Sequence, residues 1–163
     1  MLDKKRVTIY SDGAAKNNPA GPGGYGAVIQ FIDRRGILHE KELSQGFAGN
    51  VTNNQMELMG VTAAFEALNC PCSIDLYSDS KYVVSAFNEK WIDNWKRNDW
   101  CSSSGRPVAN RGLWERLLQA AVPHDVRYHW VKGHRGNPAN ERCDALANAA
   151  ASRAWCDFFY GGA

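Results

Sequence analysis

Val7-Thr8-Ile9-Tyr10 is a β-branched run that predicts a buried strand, stopping on Asp12-Gly13. Ala14 to Gly24, rich in Asn, Pro and Gly, predicts a loop, and Ala27 to Ile32 a second strand. Gly21-Pro22-Gly23-Gly24-Tyr25-Gly26 matches G-x-G-x-x-G in form, but a strand follows where a dinucleotide site needs a helix. The glycines are therefore expected in a tight turn between antiparallel strands. Asp33 to Gly36 predicts another hairpin turn, and Ile37 to Gly46 a third strand, charged at His39, Glu40, Lys41 and Glu42 as an edge strand is. The period then changes. Met56, Met59, Ala63 and Leu68 mark a helix from about Thr52 to Asn69, with Asn54 as N-cap and Glu57 completing a capping box. Ser73 to Ser78 reads as a fourth strand, ending on Asp79-Ser80, and Lys81 to Phe87 as a short helix for which Asp79 could serve as cap. Leu113 to Val122 is amphipathic. Val126 to Val131 alternates as a fifth strand, and Asn137-Pro138 opens a last helix running through Leu146 and Ala150. This order predicts an α/β fold with a five-stranded mixed sheet. A three-strand antiparallel meander is joined by two parallel strands, and helices cover both faces.

Composition narrows the picture only slightly. The 163 residues carry 44% hydrophobic and 22% charged side chains and a net charge of +2, so they predict a single domain over 1–163 with a sizeable core. So small a positive charge permits nucleic-acid binding without arguing for it, and any such surface must be local. No stretch has the roughly 20 apolar residues of a membrane span. No apolar run follows the N-terminal Lys4-Lys5-Arg6 to suggest a secretory signal. The five cysteines are odd in number and fit no zinc spacing; Cys70-Pro71-Cys72 has one residue between its thiols where a zinc knuckle has two. Free thiols in a reducing cytoplasm are the expectation, and nothing in the sequence demands a partner chain, so a monomer is expected.

The stretch from about 90 to 111 is unlike the rest. Trp91, Trp95 and Trp100 are interleaved with Lys90, Lys96, Arg97, Arg106 and Arg111, around a serine-rich loop at 102–105. Aromatic rings that stack and cations that hold phosphate suit a nucleic-acid surface, although the same tryptophans could be the core of a helical hairpin. The tail from about 154 to 163, with Trp155, Phe158, Phe159 and Tyr160, is too aromatic for a free end and is expected to dock.

Four acids stand at the ends of elements or inside the last helix: Asp12, Glu57, Asp79 and Asp144. Tyr-Ser-Asp occurs at both strand ends, 10–12 and 77–79. Taken singly, Asp12, Glu57 and Asp79 have ordinary readings as turn or cap residues, whereas Asp144 lies two turns into its helix, where neither capping nor the helix dipole strongly favours it. If the fold brings them together, carboxylates about 4 Å apart repel by about 4 kcal/mol even at an effective dielectric of roughly 20. A hard divalent cation relieves that repulsion, and two ions about 4 Å apart can activate water and stabilise a leaving oxygen in phosphoryl transfer. His134, between Gly133 and Gly136 on a loop, could then shuttle a proton.

The chain closely resembles the bacterial type 1 ribonucleases H. The matching stretches are Tyr10 to Gly13, Asn18-Pro19, Gly21 to Gly26, Thr52 to Leu58, Ser78-Asp79-Ser80, Trp91 to Trp95, Trp130 to His134, and Asn140 to Asp144. The resemblance implies that Asp12, Glu57, Asp79 and Asp144 hold two magnesium ions, with manganese as a substitute, and that His134 assists turnover. It implies an endonuclease that hydrolyses the RNA strand of an RNA–DNA hybrid, leaving 5′-phosphate and 3′-hydroxyl ends. Glu57 would contact a ribose 2′-hydroxyl, a group only RNA offers. Asn18, Asn53, Asn54 and Gln55 would lie along the minor groove, Thr52 would hold a DNA phosphate, and Lys96, Arg97 and Trp100 would belong to a basic protrusion over the DNA strand. The chain departs from better-known relatives in carrying Asn98-Asp99 and a serine run where they are richer in lysine. Other two-metal nucleases share the same sheet, and a non-catalytic hybrid-binding module is the alternative. Four intact, mutually repelling acids speak against a pure binder.

Overall fold

The computed structural model of this chain describes residues 3–17, 21–133 and 136–160. β1 (Lys5–Ala15), β2 (Gly21–Ile32) and β3 (Leu38–Val51) form the expected antiparallel meander. β4 (Cys72–Ser78) lies parallel to β1 on the other side, and β5 (Asp125–Trp130) lies parallel to β4. The sheet order is β3-β2-β1-β4-β5. The helices are α1 (Asn53–Glu66), α2 (Lys81–Asn88), α3 (Trp91–Arg97), α4 (Arg111–Ala121) and α5 (Pro138–Tyr160).

One face of the sheet carries the main core. Val7, Ile9, Ile29, Ile74 and Leu76 pack with Leu58, Val61 and Phe65 of α1 and with Trp114 and Leu117 of α4. On the opposite face, Tyr10, Tyr77 and His129 stack across β1, β4 and β5, whereas β2 presents glycines to α5. A Cβ on Gly26 would stand 2.5 Å from the Cys143 carbonyl oxygen, and one on Gly24 2.7 Å from the Ala151 nitrogen. The glycine-rich stretch is therefore strand β2 rather than a turn. Its glycines are there because α5 lies almost directly on the strand backbone.

The other boundary differences have local causes. α1 is capped by Thr52, not Asn54. The Thr52 hydroxyl accepts from the Gln55 N–H at 3.1 Å, and the Gln55 side chain accepts from the Thr52 N–H at 3.0 Å. Thr52 is in extended conformation, as an N-cap must be, whereas Asn54 is already helical. Ser80, not Asp79, caps α2 through the Val83 N–H. The serine-rich loop is a closed turn, held by Ser102 N–H to the Arg106 carbonyl at 2.7 Å and by the Asn98 amide. The aromatic tail continues α5 to Tyr160, with Ala154 buried beside Gly46 of β3.

Candidate active site

The parallel β1–β4 ladder ends at Tyr10 opposite Tyr77. Each chain then runs two residues further, to Asp12 and Asp79, which accounts for the repeated Tyr-Ser-Asp. On its other side β1 does not stop: it pairs with β2 as far as Ala15, with Asp12 opposite Gly26. Asp12 is thus held by a strand on one side and open to β4's end on the other. It is 4% exposed.

Glu57 arrives from α1. The first turns of this helix cross β1 at Gly13, where a Cβ would stand 2.5 Å from the Glu57 nitrogen and 2.6 Å from the Met56 carbonyl carbon. Only glycine allows that crossing, and the crossing sets Glu57 beside Asp12. Because Thr52 and Gln55 complete the cap by themselves, the Glu57 side chain is left for the site. One carboxylate oxygen from each of Asp12, Glu57 and Asp79 lies within 4.8 Å of the others. Asp144, in the second turn of α5, touches Asp12 closely enough to raise its pKa, while Asn148 donates to the Asp144 carboxylate at 3.0 Å.

Burial, then the charge of Asp79, pushes Asp12 from an ordinary 3.8 up to about 7, against hydrogen bonds from Glu57 and the Gly13 N–H. Glu57 is raised well above the carboxylate range, first by burial and then by Asp12 and Asp79. Both shifts have the same cause: carboxylates brought together away from water resist ionisation. The second Glu57 oxygen, Oε2, is buried and has no hydrogen-bond partner among the described residues. Clustered, desolvated oxygen donors with one unsatisfied atom fit a hard divalent cation.

Asp79 is fixed through its backbone: the Trp130 indole N–H donates to its carbonyl at 3.1 Å. That contact is not legible in the sequence, where Trp130 belongs to the fifth strand and to a matching motif without a partner being indicated. A Cβ on Gly133 would lie 3.6 Å from Asp79 Oδ2, so the loop after β5 passes beside the cluster. His134, on that loop, lies outside the described residues, as does Asn18.

The remaining sequence candidates surround this centre unequally. Asn53 and Asn54 are exposed on the first turn of α1, and the Asn53 side chain accepts from the Ala15 N–H at 2.8 Å. Gln55 also reaches Asn110, whose amide donates to the Tyr82 hydroxyl; the buried Trp114 indole donates to that hydroxyl as well. This polar chain joins the starts of α1 and α4. Its key member, Asn110, has φ 62, which nothing in the local sequence pattern indicated. Trp91, Trp95 and Trp100 are all half-buried and packed in series, with Trp95 also against Trp114. They are core as much as surface. Arg111 stands over Trp100 and pairs with Glu115, whereas Lys96 and Arg97 are exposed and make no ion pair among the described residues.

The chain matches the RNase H family over residues 4–152. It is 54% identical over 146 residues to a ribonuclease H of Lachnoclostridium phytofermentans, covering 90% of this chain and 92% of the relative. It is 51% identical over 148 residues to a ribonuclease H of Pseudoalteromonas atlantica, covering 91% and 92%. Among solved structures it is similar to LC9-RNase H1, a type 1 RNase H with the type 2 active-site motif. The TM-score there is 0.84 at 27% identity, over 94% of this chain and 75% of that one. A foamy viral protease-reverse transcriptase in complex with RNA/DNA hybrid shares the fold, with TM-score 0.75 and 20% identity over 94% of this chain and 21% of that one.

Proposed function

This chain belongs to the ribonuclease H family, type 1, and from that premise we propose that it is an endonuclease hydrolysing the RNA strand of RNA–DNA hybrids. The observation that carries the reading is the convergence of Asp12, Glu57 and Asp79 within 4.8 Å, with a buried, unsatisfied Glu57 oxygen. A structure without a charged ligand has no reason to keep such repulsion.

Asp12, Glu57, Asp79 and Asp144 would hold two magnesium ions, with manganese as a substitute. Bound divalent cations supply charge neutralisation at the scissile phosphate and a water of lowered pKa. The protein's own part is positional. β1 and β4 hold Asp12 and Asp79 rigidly at the end of their ladder, and the Gly13 crossing holds Glu57 against them. Glu57 would also accept from a ribose 2′-hydroxyl, which a DNA strand lacks. Water adds to phosphorus and the bond to the 3′ oxygen breaks, so the products carry 5′-phosphate and 3′-hydroxyl ends. His134, next in sequence to the Gly133 that stands beside Asp79, would carry protons away from the site during turnover.

Binding falls to the surroundings. Asn18, Asn53, Asn54 and Gln55 would follow the minor groove and Thr52 would hold a phosphate of the DNA strand. Lys96 and Arg97, with Trp100 beside them, would meet the backbone further along.

The test is cleavage of a labelled RNA–DNA hybrid in magnesium, beside single-stranded RNA, duplex RNA and duplex DNA. Only the RNA strand of the hybrid should be cut. Asp79→Asn should lower the rate by about a thousandfold or more while the far-ultraviolet circular dichroism stays unchanged. Hybrid binding without cleavage by the native chain would overturn the enzymatic reading in favour of a binding module.

A further inference from the structure

The end of the sheet remote from the carboxylates holds two thiols that the nuclease site does not use. Cys70 is exposed, just before β4, and Cys72 is the first residue of that strand, 1% exposed. Their sulfurs lie 3.9 Å apart. The Pro71 ring between them fixes its own backbone and favours an extended Cys70, so the pair is pre-arranged rather than brought together by chance. Cys72 is anchored further by its N–H, which donates to His124 Nδ1 at 3.0 Å. Cys70 and Cys72 line a cavity of about 280 Å³ that is also lined by Lys5, His39, Glu40 and Lys41. Burial and the neighbouring Cys70 sulfur push the Cys72 thiol up to about 11. The two thiols therefore differ in the way that exchange chemistry uses: one is accessible, and the other is protected and within reach of the first.

We propose that Cys70-Pro71-Cys72 is a thiol–disulfide exchange site, which takes a small disulfide bearing carboxylates and closes to an internal disulfide. The Cys70 thiolate attacks one sulfur of the incoming disulfide; that S–S bond breaks, and one small thiolate leaves with the electron pair. The Cys72 sulfur, giving up its proton, then attacks the Cys70 sulfur, breaking the mixed disulfide and releasing the second small thiolate. Two protein thiols are oxidised to one disulfide, one small disulfide is reduced to two thiols, and the two protons lost by the protein go to them. With Lys5 and Lys41 against the single acid Glu40, the lining carries a small positive excess, which favours an anionic disulfide. Six residue steps of β4, about 20 Å, separate Cys72 from Ser78 beside the carboxylates, so the site is distinct from the nuclease centre.

The experiment equilibrates the full chain with oxidised and reduced glutathione, traps free thiols by alkylation, and digests with trypsin. Glu42 to Lys81 is released as one peptide holding Cys70 and Cys72 and no other cysteine. At about equal oxidised and reduced glutathione, more than roughly half of this peptide should lack two hydrogens and resist alkylation, reverting in excess reductant. Cys72→Ala should instead accumulate a glutathione adduct on Cys70, at least about tenfold above the native chain. Full alkylation at every ratio, a persistent Cys70 adduct in the native chain, or linkage of Cys70 to Cys101 or Cys156 would overturn the proposal. The native-chain readout decides it even if the variant does not fold.

Discussion

Asp12 combines two opposed demands on one carboxyl group. It is as buried as the hydrophobic side chains of the core, yet it must face Asp79 and Glu57. In cation-free solution the folded chain keeps the Asp12 proton up to about pH 7, whereas the ordinary carboxyl releases it near 3.8. Folding therefore binds protons between these values, and stability falls as pH rises through that window. The loss amounts to up to about 4 kcal/mol from this group. Asp12→Asn removes the conflict. In chelator at pH 7.5 it should melt at least about 5 °C above the native chain, with the difference shrinking towards pH 4. Thermal melts across that range check it. Millimolar magnesium should raise the melting point of the native chain and leave the variant almost unmoved.

At the scale of elements, the decisive contacts are the two places where a helix rests directly on a strand. α1 crosses β1 at Gly13, and α5 lies on β2 at Gly24 and Gly26. Gly26 is also the partner of Asp12 across the ladder. Gly26→Ala would drive a methyl group to 2.5 Å from the Cys143 carbonyl oxygen and 2.6 Å from the Leu146 Cβ. Neither neighbour is a flexible side-chain end. The expected loss is about 1–3 kcal/mol of stability, read from urea unfolding, because overpacking of this kind forces backbone to shift. The sequence pattern did expose a run of glycines but pointed to a turn, since a turn and a close-packed strand ask for the same residue. What separates them is α5, more than a hundred residues later in the chain.

For the whole molecule, charge is distributed rather than concentrated. The net charge is +2, and several cations of the sheet and helices are engaged by acids: Arg127 by Asp75, Arg116 by Glu66, Arg142 by Glu40. Lys96 and Arg97 on α3 are not, among the described residues. Replacing both by alanine should flatten the plot of log affinity for hybrid against log salt by roughly one to two units. It should raise KM several-fold with little change in kcat. An unchanged slope in a salt titration would place the phosphate contacts elsewhere. The sequence by itself determined what is local. β-branched runs, helical periods and the order of elements dictate a mixed sheet, because period and side-chain shape act over a few residues. The motif stretches marked the four acids. Only the tertiary structure decided which of several eligible residues caps α1, since Thr52 and Asn54 can both serve as caps and their backbone angles separate them. It decided that the tryptophans are half core, that the tail is helix, and that burial and mutual repulsion raise Asp12 and Glu57 above the ordinary carboxyl range. Those outcomes depend on burial and on distances between residues far apart in the chain, which no local pattern carries.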